Sequence, residues 1–204
     1  MPFSGGSGHN GFSVGFTKDP RLLFGVFTRG YRFAANSLAN CLLAKAGFRS
    51  YEAYPVVFLY RHALELALKN VIYKGARLAS FQRLEVIDKR LYITHSLTRL
   101  AEQSRQVLLT RFPQDSALKG IADDIVLVAK DFDLIDPDSC AYRYPIDRTG
   151  QPAVRETQWV DLEVLSERME ETLEHLDTID LEMGIETDKA QELFEIYEDL
   201  TWEA

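Results

Sequence analysis

The segment VVFLYRHALELALKNVIY, residues 56–73, predicts a helix at the centre of the protein. It follows Pro55, a favourable residue at the opening of a helix, and consists mostly of strong helix formers. On a helical projection, one arc of about 100° contains four polar side chains, namely Arg61, His62, Glu65 and Lys69. A helix that is apolar over the rest of its circumference is buried against several neighbours. The polar stripe therefore faces a cleft, a partner or water.

Helical periodicity recurs in other segments of the chain. We expect five further helices, over residues 19–46, 97–112, 116–132, 162–183 and 188–200. Residues 133–154 contain three prolines together with Asp and Gly, which predicts a long loop. We expect a short extended pair around residues 141–144 and 158–160. The sequence thus predicts an all-α fold, a helical bundle of about five to six helices with one long, partly extended loop.

Composition and charge divide the chain into three parts. Residues 1–17 are rich in Gly and Ser and predict a flexible arm. Residues 18–183 form the predicted helical bundle, and residues 184–204 an acidic C-terminal helix or tail. Residues 161–204 contain sixteen Asp and Glu against two basic residues, a net charge of −14, whereas the preceding part of the chain carries +6. The protein is therefore basic in its body and acidic at its end.

The basic excess lies within residues 61–111, which hold ten basic and four acidic side chains. Such a concentration of Lys and Arg favours a polyanion such as RNA. The alternative is that these side chains solvate helix surfaces and attract the acidic end of the chain. Charge alone leaves both interpretations open.

Several classes of protein are disfavoured by what the sequence does not contain. Cys41 and Cys140 lie far apart without a C-x-x-C pattern, and the four histidines form no zinc or di-iron motif. The acidic run in residues 131–138 lacks the glycine of a calcium loop. The chain contains no apolar run of membrane-spanning length, and residues 1–16 lack the basic head and apolar run of a signal peptide, so we expect neither membrane spanning nor secretion. We therefore expect a cytoplasmic protein with no membrane association, no metal and no cofactor.

The candidate site is the polar stripe together with residues from elsewhere in the chain. It comprises Arg61, His62, Glu65, Lys69, His95, Arg143, Tyr144 and Asp147. In the functional interpretation, Arg and Lys bind phosphate while a histidine, whose charge changes near neutral pH, moves a proton. In the alternative, the stripe is a ladder of helical ion pairs satisfied by neighbouring loops.

Three segments resemble the HEPN superfamily of bacterial helical domains. They are FLYRHALELALK at residues 58–69, HSLTRL beginning at His95, and RYPID at residues 143–147, and the resemblance covers roughly residues 20–180. It implies a helical bundle, commonly dimeric, from a superfamily of toxins, phage-defence ribonucleases and non-catalytic nucleotide-binding modules. Catalytic members carry an Arg, four to six residues and a His, and they cleave RNA without metal.

The spacing of that motif occurs in RLYITH, residues 90–95, and in RMEETLEH, residues 168–175. The second segment is acidic and would repel a phosphate, so we favour His95 as the catalytic histidine, with Arg90 or Arg61. The resemblance thus implies an RNA- or nucleotide-binding homodimer, a metal-independent endoribonuclease of a defence or toxin–antitoxin system, with a cognate antitoxin or partner protein. The alternative is a non-enzymatic helical dimerisation or interaction domain whose acidic tail binds a partner.

Overall fold

The computed structural model describes residues 23–81, 90–136, 139–147, 149–154 and 159–202. The arm predicted for residues 1–17 lies outside these ranges. The described chain is an all-α bundle, as predicted. It contains six helices, α1 Phe24–Leu43, α2 Ser50–Phe81, α3 Arg90–Ile93, α4 Leu97–Arg111, α5 Ser116–Ile135 and α6 Leu162–Trp202.

Helix α2 lies at the centre of the bundle. It packs against α1, α4 and α6, while α5 packs against α4 and also touches α6. The apolar face of α2 is fully buried at Val56, Leu64 and Leu68, and it meets Leu100 of α4 and Leu173 of α6 in one core. The prediction that the helix around residues 56–73 is central is therefore confirmed.

The starts of α4 and α5 follow from N-cap residues in the sequence. The side chain of Ser96 accepts a hydrogen bond from the backbone N–H of Arg99 at 3.3 Å. At α5 the carboxylate of Asp115 accepts from the N–H of Leu118 at 2.9 Å. Side-chain caps of this kind satisfy donors that the first helical turn leaves without a partner.

Helix α2 begins earlier than the position of Pro55 predicted. Its first residue is Ser50, and Pro55 lies inside the helix. The carboxylate of Glu52 accepts from the backbone N–H of Arg49 at 2.7 Å, the return half of a capping box. A capping interaction at residues 49–52 therefore starts the helix, and Pro55 lies in its second turn.

The two C-terminal helices predicted for residues 162–183 and 188–200 are one continuous helix, α6. Met183 before the predicted break and Thr187 within it are buried, and the Thr187 hydroxyl donates to the carbonyl of Met183 at 2.7 Å. Tertiary packing across Gly184 thus outweighs its low helix propensity. The helix crosses the boundary at residues 183 and 184 that the composition suggested.

The extended pair predicted within the long loop is wrong in its described part. Residues 141–143 form a turn, and the bridge in this loop joins Ile146 and Pro152; Gln158 lies outside the described residues. Backbone hydrogen bonds from Arg143 and Tyr144 to the carbonyl of Cys140 explain the turn. Across the described ranges, no helix has the length and apolar character needed to cross a membrane.

Candidate functional site

Three residues of the polar stripe are buried in the bundle. The side chain of Arg61 has no accessible surface, and those of Glu65 and Lys69 are 3% and 6% exposed. Nη1 of Arg61 lies 3.3 Å from Oε2 of Glu65, and Nζ of Lys69 lies 2.9 Å from Oε1. Glu65 therefore sits between two cations, each one helical turn away.

The end of α5 supplies Arg61 with two more carboxylates. Nε of Arg61 lies 3.3 Å from Oδ2 of Asp136 without the alignment of a hydrogen bond, and Nη2 donates to the carbonyl of Asp136 at 3.3 Å. Nη2 also lies 3.9 Å from Oδ1 of Asp133. We call Arg61, Glu65, Lys69, Asp133 and Asp136 the charge cluster. Its three carboxylates outnumber its two cations.

The two aspartates of the charge cluster also fix local backbone. Oδ1 of Asp136 accepts from the N–H groups of Cys140 and Ala141 at 2.7 and 2.9 Å. Asp133 accepts from the N–H groups of Leu97 and Thr98 at the start of α4. Sequence reasoning considered these aspartates only as part of a calcium-like run. The sequence did contain a signal for such partners, because an arginine that is buried on an otherwise apolar helix requires carboxylates from elsewhere in the chain.

His95 joins the charge cluster from the segment between α3 and α4. Its Nδ1 lies 3.0 Å from Oε1 of Glu65, and its backbone carbonyl accepts from Nη2 of Arg61 at 2.9 Å. The imidazole itself is 48% exposed. The structure therefore places the Nδ1 edge of the ring against a buried carboxylate and leaves about half of the side chain exposed.

The environment of Glu65 keeps this carboxylate ionised. Burial on its own would raise the pKa of Glu65, but the hydrogen bond and charge of Lys69 and the contact with His95 outweigh it, and the pKa lies below its usual value. An ionised Glu65 accepts the Nδ1–H of His95. In the neutral ring this fixes the tautomer in which Nε2 carries a free lone pair.

The three candidate catalytic residues differ in accessibility. His95 is accessible, whereas the guanidinium of Arg61 is enclosed by protein groups and has no surface with which to contact a phosphate. Arg90 is the first residue of α3, and its side chain lies outside the described part of the chain. Arg61 therefore acts on the site by holding Glu65 and the backbone of His95 in place.

His62 lies next to Arg61 but belongs to a different set of contacts. Its ring stacks on Phe58 at 5.7 Å between centroids and meets the edge of Tyr31 at 4.5 Å. Burial lowers the pKa of His62 below 6.5; the charge of Glu65 opposes this shift, and the charge of Arg143 adds to it. His62 is therefore a neutral, packed ring at neutral pH.

The loop residues Arg143 and Tyr144 extend this stack. The guanidinium of Arg143 lies 5.4 Å from the ring centroid of Phe58 and 5.7 Å from that of Tyr144. Its Nε donates to the carbonyl of Ser139 at 2.7 Å, and 57% of Tyr144 is exposed. We call Phe58, His62, Arg143 and Tyr144 the aromatic column.

Asp147 shapes the loop that carries Arg143 and Tyr144. Its Oδ1 accepts from the N–H groups of Thr149 and Gln151 at 2.8 and 3.0 Å, which closes a turn in the loop. The predicted site thus divides in two. Arg61, Glu65, Lys69 and His95 meet in the charge cluster and its border, and His62, Arg143 and Tyr144 meet in the aromatic column.

A groove lies between α4 and the part of α2 that follows Lys69. It encloses about 450 Å³ over a floor that includes Ile72, Ala76 and Leu91, and Arg99 lies on its wall. Arg99 is exposed in the first turn of α4, four residues after His95. Sequence reasoning did not select Arg99, although it is an accessible cation close in sequence to the favoured histidine.

Comparison with known proteins identifies no relative of the chain. No family model, no curated protein and no solved structure matches the chain. Within the described ranges, no group of three or more His, Cys, Asp or Glu side chains has the arrangement of a metal site. The function must therefore be inferred from the geometry of the site itself.

Proposed function

We propose that this protein is a HEPN-like RNA-binding domain in which His95 moves a proton during metal-independent cleavage of RNA. The contact of 3.0 Å between Nδ1 of His95 and the buried Glu65 carboxylate carries the proposal. A carboxylate that orients a half-exposed imidazole and stabilises its protonated form is a recurring device for general base catalysis.

The reaction follows from the free lone pair on Nε2 of His95. Nε2 takes the proton of a ribose 2′-hydroxyl, and the resulting oxygen attacks the adjacent phosphorus. The bond from phosphorus to the 5′ oxygen breaks, and this oxygen takes a proton from water. The hydroxide left behind takes the proton from Nε2, which restores the neutral imidazole. The products are a 2′,3′-cyclic phosphate and a 5′-hydroxyl. Glu65 stabilises the positive charge that develops on the imidazole, and general base catalysis of this kind contributes about 10²- to 10⁴-fold in rate.

In this proposal, exposed cations contact the phosphates of the RNA. Arg61 and Lys69 are buried, so they position Glu65, and Arg61 also holds the carbonyl of His95. Arg99 and Arg143 are exposed. They are the side chains that we assign to the RNA backbone, in a body whose net charge is +6 over residues 1–160.

The test is cleavage of a structured RNA by the full chain in the presence of a chelator. We expect cleavage with cyclic-phosphate ends, and His95→Gln should lower the rate at least about 100-fold, as loss of a general base does, without changing the thermal transition. His175→Gln is the matched control, since His175 belongs to the other Arg–His spacing and should be dispensable. Full activity of His95→Gln, or loss of cleavage on chelation, would contradict the proposal.

A second candidate function rests on the outer face of α6. In its first half this face carries Glu163, Glu167, Glu171 and Glu174, all exposed. In its second half it carries exposed apolar side chains at Leu181, Ile185, Leu193 and Ile196. A change from acidic to apolar along one exposed face favours an interaction domain. Residues 181–196 carry five acidic side chains and one basic, so the matching partner is an amphipathic helix with basic flanks.

This candidate is tested by removing the apolar side chains while keeping the charge. A labelled amphipathic helix of Leu and Lys should bind the wild type more tightly than the triple variant Leu181→Gln, Ile185→Gln, Leu193→Gln. A peptide of equal charge with Ala in place of Leu serves as the control and should not distinguish the two proteins. Equal affinity of the Leu peptide for both proteins would remove the candidate.

A further inference from the structure

The aromatic column runs outward from α2 and ends at an exposed ring. The ring of His62 lies nearly parallel to that of Phe58, with an interplanar angle of 11°. The guanidinium of Arg143 follows at 5.4 Å from the Phe58 centroid and 5.7 Å from the Tyr144 centroid. Successive planar groups thus lead from a half-buried histidine to Tyr144.

Fixing the loop does not require the ring of Tyr144. The carboxylate of Asp136 already holds the backbone of Cys140 and Ala141, and Arg143 is held by the carbonyl of Ser139 and by Phe58. Tyr144 adds a large aromatic surface that stays 57% exposed beside this cation. A ring that stabilises little and remains exposed is available to a ligand.

The neighbourhood of Tyr144 has the composition of a site for nucleobases. Proteins bind single-stranded nucleic acid by stacking bases on aromatic rings and on arginine, with cations along the backbone. Beside the column, Tyr54 is 46% exposed and meets the ring of Tyr142 at 5.9 Å between centroids. Tyr54 lies one helical turn before Phe58 on α2, so the aromatic surface continues along the helix.

The column and the charge cluster are neighbours on α2. His62 at the inner end of the column lies one turn before Glu65, which contacts His95. Asp136 connects the two groups a second time, because it contacts Arg61 and also fixes the loop that carries Arg143. A strand stacked on Tyr144 therefore lies on the side of the protein that carries His95.

We propose that Tyr144, backed by Arg143, is a stacking platform for an unpaired nucleobase of RNA. The proposal rests on the proposed function and names its substrate class as single-stranded RNA. Bases in a duplex are stacked on one another and paired, whereas an unpaired base offers its face to a protein ring. The platform reads the aromatic face of a base and not its hydrogen-bonding edge, so it selects single strands without selecting a sequence.

The experiment measures binding separately from cleavage. Fluorescence anisotropy compares the wild type and its variants on a short 2′-O-methyl oligoadenylate, which lacks the hydroxyl needed for cleavage. The same strand in a duplex and an abasic oligomer of equal length are the reference probes. We expect tight binding only of the single strand with bases, because the phosphates are common to all three probes.

Tyr144→Ala should weaken binding of the single strand by about 5- to 150-fold, the range for loss of one stacked base. Tyr144→Trp should retain binding, and Tyr144→Leu should behave as the alanine variant does. Phe33→Ala is the matched control, since Phe33 is an aromatic side chain of α1 that is 75% exposed and lies outside the aromatic column. This control should bind as the wild type does.

The outcomes separate the platform from the proposed function. Unchanged affinity of Tyr144→Ala, or equal affinity for the abasic oligomer, overturns the platform while RNA binding stands. Binding that depends on Tyr144, together with no cleavage of unmodified RNA, supports the platform and removes the proposed cleavage. Failure of the wild type to bind any of the three probes overturns both.

Discussion

The charge cluster and the aromatic column begin at adjacent residues of one helix and differ in how their side chains are satisfied. Arg61 meets Glu65, two aspartates and two backbone carbonyls, and none of its surface reaches solvent. The column that begins at His62 ends at Tyr144, which is 57% exposed. The position of a cation or ring on the polar stripe therefore does not establish that it meets a ligand. Whether such a side chain is available to a ligand depends on how many of its hydrogen bonds and charge contacts the protein already supplies.

The difference assigns separate roles to the two regions. Within the charge cluster, a buried charge that lost its partners would raise the free energy of the folded state. The cluster therefore fixes the position of Glu65, and Glu65 in turn orients His95. The aromatic column ends in an exposed ring, so replacing that ring should change the free energy of unfolding little. Variants in the cluster should therefore change stability most, and variants in the column should change binding most.

The largest expected effect is that of Arg61→Met. This change keeps side-chain volume but removes the cation beside the buried Asp136 and leaves Glu65 with Lys69, and loss of one partner of a buried pair costs about 3–5 kcal/mol. Unfolding in urea measures the free energy. Arg143→Met is the matched change in the column and should cost less than about 1 kcal/mol, the range of an exposed interaction. Equal costs for the two variants would show that burial does not distinguish the regions.

The fold could largely be predicted from the sequence because local signals agree with packing in most helices. Ser96 and Asp115 are caps followed by apolar periodicity, and both helices begin there. The prediction failed where a strong local signal was overruled. Pro55 is a typical first-turn residue, but the Arg49–Glu52 interaction starts α2 earlier. Gly184 is a typical end of a helix, but burial on both sides carries α6 through it.

The site could be predicted only along α2. Helical spacing placed Arg61, Glu65 and Lys69 on one face, and this arrangement is observed. Spacing along one helix carries no information about contacts made through tertiary structure. Asp136 lies 75 residues after Arg61 in the chain, and the column depends on how the loop containing Arg143 folds back on Phe58. These contacts determine which residues are accessible, and hence which of them a substrate meets.

A smaller effect is expected for Asp136→Asn, the residue that connects the two regions. An asparagine oxygen still accepts from the N–H groups of Cys140 and Ala141, so the loop keeps its backbone contacts. The charge opposite Arg61 is lost, which should cost about 1–3 kcal/mol in the free energy of unfolding. Asp131→Asn on the exposed face of α5 is the control and should change little. If Asp136→Asn were as stable as the wild type, Asp136 would not be an energetic partner of Arg61.

The smallest expected effect is the pH dependence due to His62. Because burial lowers its pKa in the folded protein below 6.5, the unfolded chain binds a proton more readily as the pH falls through about 6.5. Stability is therefore lost as the pH falls below that value. His62→Phe retains a ring between Phe58 and Tyr31 and should reduce this loss, measured as the free energy of unfolding between about pH 7.5 and pH 5.5.

Glu65 does not interfere in this range, because its pKa lies below 4.5 and the stability it contributes is lost only at lower pH. His95→Gln and His175→Gln, measured alongside, separate the part due to His62 from that of the other described histidines. An unchanged pH dependence in His62→Phe would mean that His62 is as well solvated in the folded protein as in the unfolded chain. The inner end of the aromatic column would then be accessible to solvent, as its outer end at Tyr144 is. The difference in burial between the two regions would then rest on Arg61 alone.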